Sequence, residues 1–291
     1  MKAALAAGAN FWNGGEFYGT PEANSLHLLN AYFTKYPEDA DKVVLSLKGA
    51  LTSFVPSGDK EGITRSIENC LKVLDGKKKI DIFECARVDP KVPIEETVGY
   101  LAEFVKAGKI GGIGLSETGA ATIRRAASVH PIAAVEIEYS LVCTDIRDNN
   151  VASTCAELQI PLIAYSPLGR GYLTGSMSAH TLSEWQKLTP RFQGENFRNN
   201  MELVNAITKV AEKKGCTIAA LAISWIKAQS GTKGYPPIIP IPGATTVSRV
   251  NENLKDVHFT AEELADIEKI LSTIPVLGAR YPDFLEPLSF S

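Results

Sequence analysis

The chain has 291 residues, of which 45% are hydrophobic, so it can bury a large core in one large α/β domain or two smaller ones. Its 30 basic and 33 acidic side chains are mixed along the sequence and give a net charge of −3, which argues against nucleic acid as a partner. No apolar run approaches the roughly 20 residues of a membrane span, so no membrane partner is expected. The five scattered cysteines include no C-x-x-C pair and indicate reduced thiols, in the cytoplasm or also in the nucleus.

Short apolar runs alternate with longer amphipathic runs, after a first helix that ends at Gly8. The sequence predicts seven strands, at Ala9–Asn13, Val43–Leu47, Ile80–Cys85, Ile110–Leu115, Ala133–Tyr139, Pro161–Tyr165 and Ile238–Ile241. It predicts helices at Glu22–Lys35, Glu61–Leu74, Glu95–Ala107, Ala120–Val129, Asp148–Leu158, Asn200–Lys214, Ile218–Ala228 and Ala261–Thr273. The segment from Ser166 to Arg198 has weak periodicity and is predicted to be a long loop, functional or mobile.

Strict alternation of strands and helices predicts a parallel sheet, either doubly wound or closed as a barrel. No composition shift or linker divides the chain, which favours one domain over residues 1–291 with a parallel (β/α)8 TIM-type barrel fold. Seven strands are one short of eight. Because the chain opens within a helix, we expect the first strand of the barrel to be absent and the domain to be truncated at its N-terminus. Asn10–Asn13 and Ile238–Ile241 would then be neighbouring edges.

Tyr18 and Lys48 each follow a predicted strand and lie about one βα unit apart. Because parallel strands end at the same edge of a sheet, we expect the two side chains to be neighbours. A nearby ammonium stabilises a phenolate and draws the tyrosine pKa below its usual value of about 10, and such a tyrosine can act as a proton donor. The alternative is that Tyr18 caps a turn and Lys48 is an exposed loop lysine.

Five segments, in order along the chain, carry a resemblance to one enzyme family. They are Gly8–Phe11 with Tyr18-Gly19, Gly108–Glu117, Glu138–Leu141, Ala164–Gly175 and Ile241–Asn253. Together they resemble the aldo-keto reductases. Within that family, Phe11–Tyr18 and Phe83–Asp89 look most like the fungal pyridoxal reductases.

The resemblance implies NADPH-dependent reduction of a small-molecule aldehyde to an alcohol, with pyridoxal as the expected substrate and vitamin B6 metabolism as the context. Tyr18 matches the family's proton donor, and Lys48 matches the lysine that tunes it. Tyr165 matches the aromatic residue that stacks on the nicotinamide, and Arg249 matches the residue that grips the 2′-phosphate of NADP(H). The implied cofactor-binding set is Ser116, Glu117, Glu136, Tyr165, Ser166, Leu168, Gly169, Gly171, Gly243, Thr245, Thr246, Ser248, Arg249, Glu252 and Asn253. No metal site is expected, and the oligomeric state is left open.

Four positions depart from the family pattern. Asn13 stands where an aspartate is usual, Ala86 where a histidine is usual and Glu136 where a glutamine is usual, while Thr245 replaces a lysine for the 2′-phosphate. Loss of the carboxylate and the imidazole would weaken transition-state stabilisation. A catalytically weak or silent NADP-binding regulatory module of the same fold is therefore the alternative function.

Glu84 offers a compensating group, because positions 84 and 86 of a strand face the same side. A carboxylate there could take the role that Asn13 cannot, so the predicted catalytic set is Tyr18, Lys48, Asn13 and Glu84. We then expect Glu84→Gln to raise the apparent pKa of Tyr18. The equally weighted alternative is that Glu84 only pairs with another buried polar group.

Overall fold

The computed structural model describes residues 1–232 and 234–290. They form two compact units. Unit 1 contains Met1–Ile137, Asn149–Ile163 and the last residues from Leu288, and unit 2 contains Glu138–Asp148 and Ala164–Pro287. The single domain over residues 1–291 stays a prediction.

The principal sheet of the described residues has seven strands, and all seven strand predictions are confirmed with ends that differ by at most two residues. They are β1 (Phe11–Gly15), β2 (Val44–Gly49), β3 (Ile80–Cys85), β4 (Ile110–Ser116), β5 (Ile132–Glu138), β6 (Leu162–Tyr165) and β7 (Ile238–Pro240). Their order in the sheet follows the chain from β1 to β7. The pairs from β1 to β5 are parallel, and β1 and β7 are the terminal strands of the order.

The helices follow the strands in the predicted alternation. They are α1 (Lys2–Ala6), α2 (Ser25–Lys35), α3 (Lys60–Leu74), α4 (Ile94–Lys106), α5 (Ala120–Val129), α6 (Val151–Glu157), α7 (Glu184–Leu188), α8 (Gly194–Lys214), α9 (Ile218–Gln229), α10 (Val247–Asn253) and α11 (Ala261–Thr273). Within the described chain, no helix has both the length and the apolar character needed to cross a membrane. Helices α7 and α10 were not predicted, and α8 begins at Gly194 rather than Asn200.

Unit 1 buries apolar side chains on the outer face of the sheet, under its helices. Leu45 and Leu47 alternate along β2 with 0% exposure, and α3 presents a stripe at Ile63, Ile67 and Leu74. This stripe has the i, i+4, i+11 spacing of one helical face. The inner face of the same strands is therefore left to the residues of opposite parity, which include Lys48.

The sheet of unit 1 is strongly curled. Asn13 on β1 and Glu136 on β5 are hydrogen-bonded at 2.7 Å, although β1 and β5 are four strands apart in the sheet order. In a flat sheet they would be about 19 Å apart, since neighbouring strands lie about 4.8 Å apart. A curled parallel sheet with βα connections is the predicted TIM-type (β/α)8 fold class.

Unit 2 has its own aromatic core. Trp225 on α9 packs on Tyr139 with ring centroids 5.3 Å apart, and Tyr172 stacks on Phe192 at 4.7 Å. The Tyr172 hydroxyl donates to the Arg191 carbonyl at 2.7 Å. The segment predicted as a loop from Ser166 to Arg198 is thus largely packed, and it contains α7 and several short 3₁₀ turns.

Candidate active site

Strand register brings Lys48 and Glu84 side by side. Lys48 on β2 pairs with Gly15 on β1 and with Glu84 on β3. Residues in register on adjacent strands face the same side of a sheet, so the lysine and the carboxyl share the inner face. The alternative in which Lys48 is an exposed loop residue is therefore wrong, since only 3% of it is exposed.

Lys48 is held by two carboxyls and one amide. It forms an ion pair with Glu136 Oε1, lies 3.5 Å from Glu84 Oε1 and donates to Asn13 Oδ1 at 3.3 Å. Glu84 and Glu136 are only 1% and 2% exposed. Because an unpaired charge is costly in such surroundings, the ammonium and its anions stabilise each other only as a set. We call Asn13, Lys48, Glu84 and Glu136 the lysine cluster.

Asn13 closes a ring between the lysine and the nearer glutamate. Its Nδ2 donates to Glu136 Oε2 at 2.7 Å while its Oδ1 accepts from Lys48. An amide can do both at once because it carries a donor and an acceptor. Asn13 was predicted as a weakened stand-in for an aspartate, whereas the contacts show it as a bridge.

Gly114 on β4 has no side chain and so leaves room for Glu84. A Cβ at Gly114 would lie 2.9 Å from Ile82 Cγ2 and 3.3 Å from Glu84 Oε2. Glu84 also accepts from the Ser46 hydroxyl at 3.4 Å. The prediction that Glu84 faces the interior is confirmed.

Tyr18 reaches the lysine cluster from the loop that follows β1. Its N–H donates to the Gly15 carbonyl at 3.3 Å, and its carbonyl accepts from the Ser25 N–H at 3.0 Å, at the start of α2. The Lys48 Nζ lies 5.9 Å from the centre of the Tyr18 ring. The predicted proximity of the two residues is confirmed, and 46% of Tyr18 is exposed, so a solute can reach it.

The pKa of Tyr18 is raised, not lowered as predicted from its lysine neighbour. Loss of hydration around the hydroxyl has the largest effect, and Lys48 opposes it while Glu136 and Glu84 add to it. The exposed area of Tyr18 does not cancel this effect, because the hydroxyl itself interacts with the Lys48 ammonium and the buried carboxyls. A raised pKa keeps the phenol protonated at neutral pH, which suits a proton donor.

The pKa of the Glu84 carboxyl is raised well above its ordinary value of 4.5. Burial is the main cause, and repulsion by Glu136 adds to it against the attraction of Lys48. Burial alone would lower the pKa of Lys48, but Glu136 and Glu84 outweigh it and raise that pKa above 10.5. The lysine cluster therefore sets one ammonium against two buried carboxyls, of which Glu84 has the raised pKa.

The predicted effect of Glu84→Gln on Tyr18 has the wrong sign. The negative charge of Glu84 raises the pKa of Tyr18, so its removal lowers that pKa. Glu84 contacts Lys48, but Glu136 is the closer carboxylate.

Ala86 leaves no imidazole at the carboxyl end of β3. It is 1% exposed, and its N–H donates to the Gly49 carbonyl at 2.9 Å. Tyr18 is therefore the only tyrosine or histidine that the described contacts place beside Lys48.

Two predicted cofactor residues, Ser116 and Glu117, lie at the end of β4 in unit 1. The Glu117 N–H donates to the Glu136 carbonyl at 2.9 Å. The Ser116 hydroxyl is buried and is one of the few side-chain atoms without a hydrogen-bond partner among residues 1–232 and 234–290. Buried hydroxyls are normally paired, so Ser116 fits a role in binding a polar ligand group such as an amide. Both Glu136 oxygens are engaged, one by Lys48 and the other by Asn13, and the role of Glu136 in cofactor binding stays a prediction.

In unit 2, the predicted pyrophosphate loop follows β6. Gly169 and Gly171 have φ values of +59° and +110°, and a Cβ at Gly169 would lie 2.3 Å from Val142 Cγ2. Glycine is thus required there by the fold itself, apart from any approach of a phosphate. The Gly169 N–H donates to Ser166 and the Gly171 N–H to Leu168.

Tyr165, predicted to stack on the nicotinamide, lies at the end of β6. Its hydroxyl is hydrogen-bonded to the hydroxyl of Tyr281 in the same unit. The Arg170 guanidinium lies 4.3 Å from the centre of the Tyr281 ring, so Tyr165 is held by a cationic and aromatic group.

The predicted adenosine site surrounds the start of α10. Thr246 caps this helix by accepting from the Arg249 N–H at 3.2 Å, and Asn253 Nδ2 donates to the Gly243 carbonyl at 3.3 Å. The residues from Gly243 to Arg249 are exposed and include Thr245 and Ser248, while Glu252 is half-buried. Exposed guanidinium and hydroxyl side chains around one helix start are donors of the kind that fit a phosphate.

Comparison with known proteins identifies the family. Residues 1–272 match the model of the aldo/keto reductase family. The chain belongs to the aldo-keto reductase family. Its members use NAD(P)H and act on small carbonyl compounds, so this chain is an oxidoreductase by family.

The similar curated proteins include two fungal pyridoxal reductases. The chain is 44% identical over 298 residues to the probable pyridoxal reductase 2 of Schizosaccharomyces pombe, covering 98% of this chain and 88% of that protein. It is 35% identical to the putative pyridoxal reductase of Saccharomyces cerevisiae, covering 93% and 84%. An aldo-keto reductase from Strobilurus tenacellus is 36% identical, covering 96% of this chain and 82% of that protein.

Solved structures support the fold. A glycerol dehydrogenase from Gluconobacter oxydans has a TM-score of 0.81 at 23% identity, covering 96% of this chain and 85% of that chain. A thermostable aldo-keto reductase in complex with the inhibitor epalrestat has a TM-score of 0.69 at 23% identity, covering 92% and 85%. Both confirm the TIM-type barrel class.

Proposed function

We propose that the protein reduces an aldehyde to an alcohol with NADPH, that Tyr18 donates the proton, and that pyridoxal is the substrate, giving pyridoxine. The observation that carries this proposal is the accessible phenol of Tyr18 beside the buried, carboxylate-held ammonium of Lys48. The two related pyridoxal reductases support the choice of substrate.

Tyr18 and the lysine cluster beside it supply the acid half of the reaction. A bound nicotinamide supplies hydride to the carbonyl carbon. Tyr18 gives its hydroxyl proton to the carbonyl oxygen, so the O–H bond of the phenol breaks as the O–H bond of the alcohol forms. Lys48 stabilises the phenolate that remains, and its location between Tyr18 and the buried carboxyls keeps its charge fixed there.

Arg249 supports NADPH over NADH as the cofactor. Its guanidinium can make charge-assisted hydrogen bonds to a 2′-phosphate, and Thr245 and Ser248 are exposed hydroxyl donors in the same segment. NADH carries no phosphate at that place.

The test is NADPH oxidation with pyridoxal and a few aromatic aldehydes. A general acid contributes about 10²–10⁴-fold, so Tyr18→Phe is expected to lower kcat by that factor. Tyr100→Phe is the matched control, because the Tyr100 hydroxyl donates to an exposed glutamate, Glu96, at 3.2 Å and is not a neighbour of Lys48 in the described contacts. Equal turnover of Tyr18→Phe and wild type would refute the role of Tyr18.

Ala86 favours the silent NADP-binding module as the second candidate, since an alanine at position 86 cannot orient a carbonyl as the expected histidine would. The same assay separates the two functions. NADPH binding without oxidation by any of these aldehydes would favour the silent module, whereas oxidation that depends on Tyr18 favours the enzyme.

A further inference from the structure

The ring of Asn13, Lys48 and Glu136 suggests where the anion for Lys48 resides in this chain. Both oxygens of Glu136 are used, one by the Lys48 ammonium and the other by Asn13 Nδ2 at 2.7 Å. Glu84 lies farther from the ammonium, at 3.5 Å, and has the Ser46 hydroxyl as a second partner.

We propose that Asn13 and Glu136 form a matched amide–carboxylate pair in which Glu136 is the positioning residue for Lys48 and Asn13 is its bridge. The proposal rests on the proposed function, because Lys48 matters for catalysis only if Tyr18 donates a proton. It assigns Glu136 to the acid machinery and leaves Glu84 as the more distant carboxyl neighbour of the ammonium.

Positions 13 and 136 are so close in the ring that only one of them can carry a carboxylate. Replacing the Asn13 amide by a carboxylate would place two anions at hydrogen-bond distance, and such a pair cannot be ionised on both sides without a large cost. Inverting the pair, with Asp at 13 and Gln at 136, restores one amide donor, three acceptor oxygens and one carboxyl group. The amide and the carboxyl can therefore change places, but each position needs the other to carry its counterpart.

The titratable groups that face Glu136 come from three other elements. They are Lys48 on β2, Glu84 on β3 and Tyr18 after β1. The variants leave these three residues in place. A pH dependence of stability that appears only in Asn13→Asp therefore comes from the added carboxyl.

The experiment compares wild type, Asn13→Asp, Glu136→Gln and the double variant in the full chain. The Asn13→Asp variant must take up a proton to fold. Its folding equilibrium constant should therefore fall, relative to wild type, about tenfold for each unit by which the pH rises between about 5 and 8. The double variant should lose this extra slope. Glu136→Gln should lower kcat about tenfold or more while KM for the aldehyde stays within about threefold, and the double variant should recover most of that loss, a coupling typical of contacting residues.

Glu103→Gln is the matched control, since it removes the same charge from an exposed glutamate that pairs with Lys60 at 2.9 Å in unit 1. A double variant whose losses equal the product of the single losses would overturn the proposal. So would an Asn13→Asp variant whose stability follows the wild-type pH profile. If wild type oxidises NADPH with none of the aldehydes, the proposed function fails, but the stability profiles still decide whether positions 13 and 136 are matched.

Discussion

Lys48→Met tests whether the buried ammonium is the charge that the rest of the lysine cluster needs. Lys48 is 3% exposed and methionine fills a similar volume, so the main change is electrostatic. Without the cation, a buried carboxylate must remain unpaired, which costs about 3–5 kcal/mol, or take up a proton. Protonating a glutamate with an ordinary pKa of about 4.3 costs about 3.7 kcal/mol at pH 7, and this sets the ceiling on the loss.

The two routes give a loss of about 3–4 kcal/mol at pH 7 that shrinks by about 1.4 kcal/mol for each pH unit below 7. Urea unfolding followed by circular dichroism at pH 5, 6 and 7 measures it. Lys78→Met is the control: Lys78 is also buried, but its partner Asp81 is 35% exposed and can be hydrated, so we expect a smaller and pH-independent loss. A loss for Lys48→Met that is below about 1 kcal/mol at pH 7, or that does not change with pH, would refute this account.

Two further substitutions test the protonated carboxyl and the cofactor. The folded protein holds a proton on Glu84 above pH 4.5 that the unfolded chain releases, so wild-type stability falls as pH rises towards the folded pKa. Glu84→Gln should remove that slope in urea unfolding, and an unchanged slope would show that Glu84 is ionised. Arg249→Ala should weaken NADPH binding by about 10- to 100-fold and leave NADH unchanged in fluorescence titrations, whereas equal weakening of both would refute phosphate recognition by Arg249.

The parts of this structure that follow from local pattern could be predicted. Alternating runs gave all seven strands, and the carboxyl ends of β1 and β2 placed Tyr18 near Lys48. The two-residue repeat of a strand placed Glu84 on the inner face. Helix α7 was missed although Ser183 and Gln186 form a capping box, a signal that was available in the sequence.

The role of Glu136 could not be predicted from local pattern. Its contact with Asn13 spans 123 positions in sequence and four strands of the sheet, and it exists only because the sheet curls. The net direction of the Tyr18 pKa was missed for a related reason. A neighbouring lysine is visible in the sequence, but the loss of hydration that outweighs it depends on packing around the hydroxyl.

The charge of the lysine cluster explains why Asn13 is not simply a defective aspartate. Lys48 supplies one positive charge, and the carboxyls of Glu136 and Glu84 both lie against it, with burial and Glu136 raising the pKa of Glu84. An aspartate at position 13 would add a third carboxyl to a site that neutralises only one. The amide instead adds no charge, donates to Glu136 and accepts from Lys48, so Asn13 and Glu136 are best understood as one feature rather than two separate departures.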